Sequence, residues 1–251
     1  MIKKLISICF IFGLLVLPIR ANDETPMTVV EMFTSQGCGG CIPASAYLEV
    51  IRERPGIIAL SWPVDYLDRF GWKDTLADES HAERQKNYNK RFGRGGLIYT
   101  PEMVIDGRVE CIGHDAAEAN NGIKNMRAIN RVRANPKLSI KGDILVISLP
   151  KAALEGAASV HLAWYVSDAM VDIGDGENKG TVMHAINVVR KSEWIGTWDG
   201  SVASIKVPLS SIDGLNVDHA AVILHDGPSN GAIVGAGKIA LTSGGATAAS
   251  K

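Results

Sequence analysis

Cys38-Gly39-Gly40-Cys41 sets two thiols three positions apart, between an apolar run and a helical pattern. A residue at the start of a helix faces unpaired backbone N–H groups and the positive end of the helix dipole. A thiolate held there is stabilised, so its pKa falls and it becomes a nucleophile near neutral pH. A second thiol one turn further on can close a disulfide with the first, and so resolve a mixed disulfide with a substrate. Gly39 and Gly40 leave the backbone open to an approaching chain, and Pro43 suits a first helical turn, where its missing N–H costs little. The chemistry these residues suggest is thiol–disulfide exchange, with Cys38 attacking and Cys41 resolving.

The elements that would position the pair can be read around it. Thr28–Phe33, rich in β-branched and aromatic residues, is an expected strand, and Pro43–Arg54, closed by Pro55-Gly56, an expected helix. Ile57–Leu60 is a short continuous apolar run, as for a strand covered on both faces. Leu76–Phe92 is a polar helical segment, exposed on one side. Met103–Ile105 and Val109–Cys111 flank Asp106-Gly107, a hairpin signature. Asp115–Val132 is helical again, with Asp115 as N-cap. Strands interleaved with helices imply a sheet with helices packed on it. Beyond Asn135-Pro136 the texture changes. Strand candidates at 143–149, 160–166, 182–189, 202–209, 220–225 and 232–241 are separated by Gly, Asn, Asp and Pro clusters, as in a sandwich or small barrel.

A second element sharpens the cysteine motif. Gly95-Gly96-Leu97-Ile98-Tyr99-Thr100-Pro101 leads into the strand that begins at Glu102, and a proline at a strand start takes no part in donating to the ladder. Strand, CxxC, helix, then Thr-Pro, strand, turn, strand and helix resemble the thioredoxin superfamily over residues 27–135. The runs Leu60–Tyr66 and Gly71–Asp74, with Tyr-Thr-Pro, also resemble an uncharacterised family of secreted bacterial thioredoxin-like proteins. The resemblance implies a cis-proline at Pro101, preceded by Thr100, facing the cysteines and holding the substrate chain. It also implies a buried acid near the end of the first strand that assists the inner cysteine, a role Glu31 would take. The expected fold class is an α/β thioredoxin-like N-terminal domain (27–135) plus a C-terminal all-β, sandwich-like domain (136–241), with a flexible tail at 242–251. The Gly-Gly between the cysteines, where thioredoxins carry Gly-Pro, leaves the direction of exchange open.

Residues 1–21 read as a secretory signal peptide: Lys3 and Lys4, an apolar core from Leu5 to Leu17, then Pro18 and Ala21. The expected location is therefore exported, periplasmic or secreted, with no stable membrane span after cleavage. The whole chain has 251 residues and a formal charge of −1. Removal of Lys3, Lys4 and Arg20 lowers that to about −4. No basic footprint points to nucleic acid. Cys9 leaves with the leader, so Cys38, Cys41 and Cys111 remain, an odd number in a compartment that permits disulfides.

Cys111 and His114 form a C-x-x-H pair after the hairpin. Cys38, Cys41, Cys111 and His114 thus make an alternative soft-metal site for zinc or copper. The gap between the two pairs is longer than in compact zinc modules, and a small buried thiol and a rim histidine are the preferred assignments. Cys111 could otherwise form an intermolecular disulfide or trap a resolving step. A non-catalytic interaction domain with a structural Cys38–Cys41 disulfide is the other alternative. Trp62, Asp65, Tyr66, Asp68 and Trp72 follow the second strand, and read as a packed aromatic loop or a groove lining. Arg84, Lys86, Lys90, Arg91 and Arg94 read as a solvated basic face. No Ser-His-Asp motif, P-loop or dinucleotide fingerprint is present. The reading is an exported thiol–disulfide oxidoreductase for protein or small-molecule thiols and disulfides. Its only cofactor would be its own redox-active disulfide.

Overall fold

Thr28–Thr34 (β1) is buried along its whole length, as its β-branched and aromatic run requires. In the computed structural model, which describes residues 26–129, 134–228 and 230–241, β1 is a central strand. It pairs in parallel with Ile57–Pro63 (β2) and antiparallel with Glu102–Ile105 (β3). Between β1 and β2 lies Cys41–Arg52 (α1), which buries Cys41, Ala44, Ser45, Leu48 and Ile51 at helical spacing. Glu79–Arg91 (α2) starts at Asp78, whose side chain accepts from the Ser80 N–H. β3 turns through Asp106 and Gly107, both at positive φ, into Val109–Ile112 (β4). Ala116–Ala128 (α3) is capped by Asp115, which accepts from the Ala117 and Glu118 N–H groups.

The remaining elements are Lys137–Lys141 (β5), Ile144–Leu149 (β6), Ala158–Asp172 (β7), Val182–Trp198 (β8), Ala203–Pro208 (β9), His219–Asp226 (β10) and Ile233–Ala240 (β11). They do not form a domain of their own. The strand order β11-β10-β7-β8-β2-β1-β3-β4 makes one eight-stranded mixed sheet, and β5-β6-β9 a second sheet. The two halves join where β2 meets β8 in parallel, Ser61 opposite Val188. Beside that register Asn187 takes a left-handed backbone, and its Nδ2 donates to the Ala59 carbonyl at 2.8 Å.

The expected fold class is therefore incorrect. The described residues are mostly strand, with three α-helices, and a single sheet runs through both halves where a thioredoxin-like α/β domain and a separate sandwich were expected. Burial on both faces was readable from the apolar run of β2; the partner at its edge was not, because pairing depends on residues more than a hundred positions away. β7 and β8 also extend well past the expected 160–166 and 182–189, and this long hairpin reaches the N-terminal half. β5 was not anticipated, and α1 begins at Cys41, two residues before Pro43. The expected leader, Cys9, the tail and the end of the third helix fall outside the described residues. No helix among the described residues is long and apolar enough to cross a membrane.

The apolar interior follows from this layering. One face of the sheet packs Val29, Phe33, Ile58 and Leu60 with Tyr88 of α2 and Tyr165, Val189 and Ile223 from the C-terminal strands. The opposite face packs Val30, Met32 and Ile57 with Ala44 and Leu48 of α1 and Ala119 and Ile123 of α3. The small sheet closes a third cluster through Leu145 and Ile147 against Leu162 and Trp164.

Candidate thiol site

The loop from Ser35 to Gly40 leaves the end of β1 and enters α1. Its turns are closed by Cys38 N–H to the Ser35 carbonyl at 3.2 Å and Cys41 N–H to the Cys38 carbonyl at 3.0 Å. Cys41 thus opens the helix, and Cys38 stands just before the Gly40 N-cap, at the positive end of α1. Both thiols are free. They share a small apolar cluster with Ile173 and Met183 from the β7–β8 hairpin.

The two sulfurs differ in acidity. The Cys38 pKa is lowered to about 7, first by the hydrogen bond from Cys41, against the effect of burial, with further help from Thr100 and the Cys41 amide. Burial holds the Cys41 thiol well above its ordinary value, and the neighbouring Cys38 sulfur pushes it the same way. The Ser35 N–H points at Cys41 Sγ from 3.4 Å. Cys38 is the sulfur that opens onto a groove of about 960 Å³, whose walls include Tyr66, Phe70, Ile98 and Tyr99.

The Thr100–Pro101 peptide is cis. Pro101 is packed so tightly that a Cβ on Gly40 would sit 3.2 Å from its Cδ, and one on Gly113 would meet its Cβ at 3.0 Å. Thr100 lines the groove with Cys38, and its hydroxyl helps to lower the pKa of both cysteines. Cys38, Cys41, Thr100 and Pro101 are thus gathered at one place.

Glu31 is not brought to them. Its carboxylate accepts from Arg84 Nε at 2.7 Å and from the Tyr88 hydroxyl, on the face of the sheet opposite α1. Arg84 is buried rather than part of a solvated basic face, and it also reaches Asn230 and His225. Cys111 faces the α1 and α3 side of the sheet, packed with Ala119 and Ile123, and burial raises its pKa to about 12. His114 lies beside Gly40, but among the described residues no three His, Cys, Asp or Glu side chains converge as a metal site. Of the aromatic loop, Tyr66 lines the groove, Trp62 is buried under the Arg84 guanidinium, and Trp72 packs against Gly174 and Gly176.

Two groups of residues escaped the sequence reading. The first is the tip of the β7–β8 hairpin. Asn178 Nδ2 donates to the Gln36 and Cys38 carbonyls at 2.8 and 2.9 Å, and Glu177 accepts from the Gly39 N–H at 3.0 Å. Nothing near Asn178 in the chain announces a contact so distant. The second is Glu102, directly after Pro101. It is fully buried, accepts from Gln85 Nε2 and Asn89 Nδ2, and burial raises its pKa to about 7. Gln85 in turn accepts from the Tyr66 hydroxyl at 3.3 Å, so the carboxyl is linked through Gln85 to a residue of the groove wall. A charged residue opening an otherwise apolar strand was the available signal.

A family model described as "Protein of unknown function (DUF1223)" matches residues 29–225. Among solved structures, protein AGR_C_4864 from Agrobacterium tumefaciens is similar. It shares 30% identity with a TM-score of 0.75, over 84% of this chain and 93% of that one. No curated protein matches the chain.

Proposed function

The chain belongs to the family of proteins of unknown function DUF1223, and we propose that it is an exported thiol–disulfide oxidoreductase. Cys38 is its nucleophile and Cys41 its resolving thiol. The observation that carries the proposal is geometric: two free thiols stand at the start of α1 beside Pro101, and only Cys38 opens onto a groove. The lowered pKa of Cys38, about 7, and the raised pKa of Cys41 agree with it. A nucleophile needs a thiolate at ambient pH, whereas a resolving thiol must hold its proton until the mixed disulfide forms. The likeness of the cysteine pair and of Thr100-Pro101 to thioredoxin-superfamily redox sites supports the same reading, and the leader-like residues 1–21 support export.

With the pair reduced, the Cys38 thiolate attacks one sulfur of a substrate disulfide. A Cys38–substrate disulfide forms, and the other substrate sulfur leaves as a thiolate that takes a proton from solvent. Cys41 then gives its proton to solvent and attacks Cys38 Sγ. The Cys38–Cys41 disulfide closes and the second substrate thiolate is released, two electrons having passed from protein to substrate. A dithiol restores the pair, and a dithiol substrate runs the same steps backwards. Thr100 favours the thiolate forms of both cysteines, and Pro101 walls the pair beside Gly40.

The test is disulfide reduction driven by dithiothreitol, with wild type, Cys38→Ser and Cys41→Ala. The expected result is loss of turnover in Cys38→Ser; in Cys41→Ala, reduced and then freed of dithiothreitol, a mixed disulfide with the substrate is expected to persist on Cys38. Turnover unchanged in Cys38→Ser would end the reading.

A further inference from the structure

We propose, resting on the thiol–disulfide reading above, that the groove beside Cys38 selects disulfides flanked by carboxylates. The argument comes from which charges of the site are already satisfied. Of the basic residues on α2, Arg84 is bound to Glu31, and Arg91 donates to the Gly107 and Asn230 carbonyls. Arg94, just past the helix, pairs with Glu110, which also takes the Tyr99 hydroxyl. Lys86 has no such partner among the described residues, and it lines the groove.

Arg69 lines it too, with its guanidinium 4.8 Å from the Phe70 ring centroid and no carboxylate within ion-pair distance among the described residues. The Phe70 ring is 62% exposed, so this lip offers an apolar surface and a cation together.

Glu177, the acidic residue of the lining, is tied to the Gly39 N–H at 3.0 Å and keeps its charge, so the lining carries two cations, Arg69 and Lys86, against one carboxylate. Asp68, next to Arg69, accepts from the Asp74 N–H at 3.0 Å. What remains for a ligand is two free cations and the positive end of α1, on a half-apolar wall beside the attacking sulfur. At about 960 Å³ the groove is at the large end of ligand sites, with room for several peptide residues. A carboxylate one or two residues from the substrate sulfur would meet Arg69 or Lys86 as Cys38 attacks. An acidic polypeptide segment and a small acidic disulfide share this chemistry.

The experiment follows single-turnover reaction of the reduced protein, at about 20 mM salt, with three small disulfides: 3,3′-dithiodipropionate (anionic), 2-hydroxyethyl disulfide (neutral) and cystamine (cationic). Each rate is divided by the rate of the same disulfide with free dithiothreitol, which removes intrinsic reactivity. The anionic probe is expected to exceed the cationic one by about tenfold, as field-guided encounter allows, and the ratio is expected to collapse at 0.5 M salt. Arg69→Glu combined with Lys86→Glu, both at exposed positions and checked for folding by circular dichroism, should bring the ratio to one or below. Equal normalised rates in wild type, or a ratio the double variant leaves unchanged, overturn the proposal while leaving the exchange reading standing. Failure of all three probes to react overturns both. A disulfide-cyclised octapeptide with Asp flanks forms the last arm. If it reacts more than tenfold faster than dithiodipropionate the acidic polypeptide is the source, and parity assigns the small acidic disulfide.

Discussion

Asn178 donates to the Cys38 carbonyl at 2.9 Å across 140 positions of chain. Its amide also takes the Gln36 carbonyl, so one side chain from the β7–β8 hairpin satisfies two buried acceptors of the cysteine loop. The loop conformation that presents Cys38 is therefore set by the C-terminal half, and the continuous sheet is what carries the hairpin there.

Asn178→Ala should leave both buried carbonyls without their side-chain donor. The expected cost is about 2–3 kcal/mol, read as a lower midpoint in urea with an unchanged slope. Alkylation of Cys38 should become faster and less pH-dependent as the loop loosens. A wild-type midpoint would place the hold on the loop elsewhere, in the Glu177 to Gly39 contact.

Cys38 should alkylate with iodoacetamide along a pH profile whose midpoint lies about 7. The largest lowering influence is the hydrogen bond from Cys41. Cys41→Ala should therefore move the midpoint upward, toward the ordinary thiol value. Thr100→Val, which removes a smaller lowering influence, should move it less. If Cys41→Ala leaves the midpoint in place, the helix terminus and not the partner thiol controls the nucleophile.

Short-range signals were the ones the sequence displayed plainly. Cys38 and Cys41, the Asp115 cap and the Asp106-Gly107 turn all act within a few residues, and each stands at its expected place. What was hidden depends on distant partners. Arg84 looks like a solvated cation until β1 supplies Glu31, 53 positions earlier. Ser61 gives no hint that Val188 will stand opposite it, so one sheet was read as two domains. Glu102 was passed over because burial comes from α2 packing on it through Gln85 and Asn89, whose polarity suggested an exposed helix.

Arg84 and Glu31 form a buried pair, with Tyr88, Asn230 and His225 completing the cluster. Glu31→Gln should leave a buried guanidinium without its counter-charge and cost about 3–5 kcal/mol. Glu31→Leu with Arg84→Met should recover much of that loss, since both desolvated charges then go. The Cys38 alkylation midpoint should stay near its wild-type value in the double variant. A midpoint displaced by a unit or more would instead bring Glu31 into the proton path of the thiols.

Glu102 makes the pH dependence of stability testable with a definite sign. Burial raises its pKa from 4.5 to about 7, so between those values the native state holds a proton that the unfolded chain has lost. Stability contributed by this group therefore falls as pH rises through that window, by up to ~3 kcal/mol at one pKa unit per 1.36 kcal/mol. His81 works the other way. It is buried with Nδ1 on the Pro63 carbonyl, and its pKa is lowered to about 4, so its effect makes stability rise between pH 4 and 6.5. Buried His161, lowered to about 4, and His225, lowered well below its ordinary value, act as His81 does, so wild type should gain stability from pH 4 to 6.5, with Glu102 blunting the rise. Glu102→Gln keeps an acceptor for Gln85 or Asn89 and removes the titration. Its unfolding free energy in urea should rise more steeply than wild type from pH 4.5 to 6.5 and lack the fall between 6.5 and 7.5. A difference between the two proteins that does not change with pH would mean that the Glu102 carboxyl ionises as freely in the fold as in the unfolded chain.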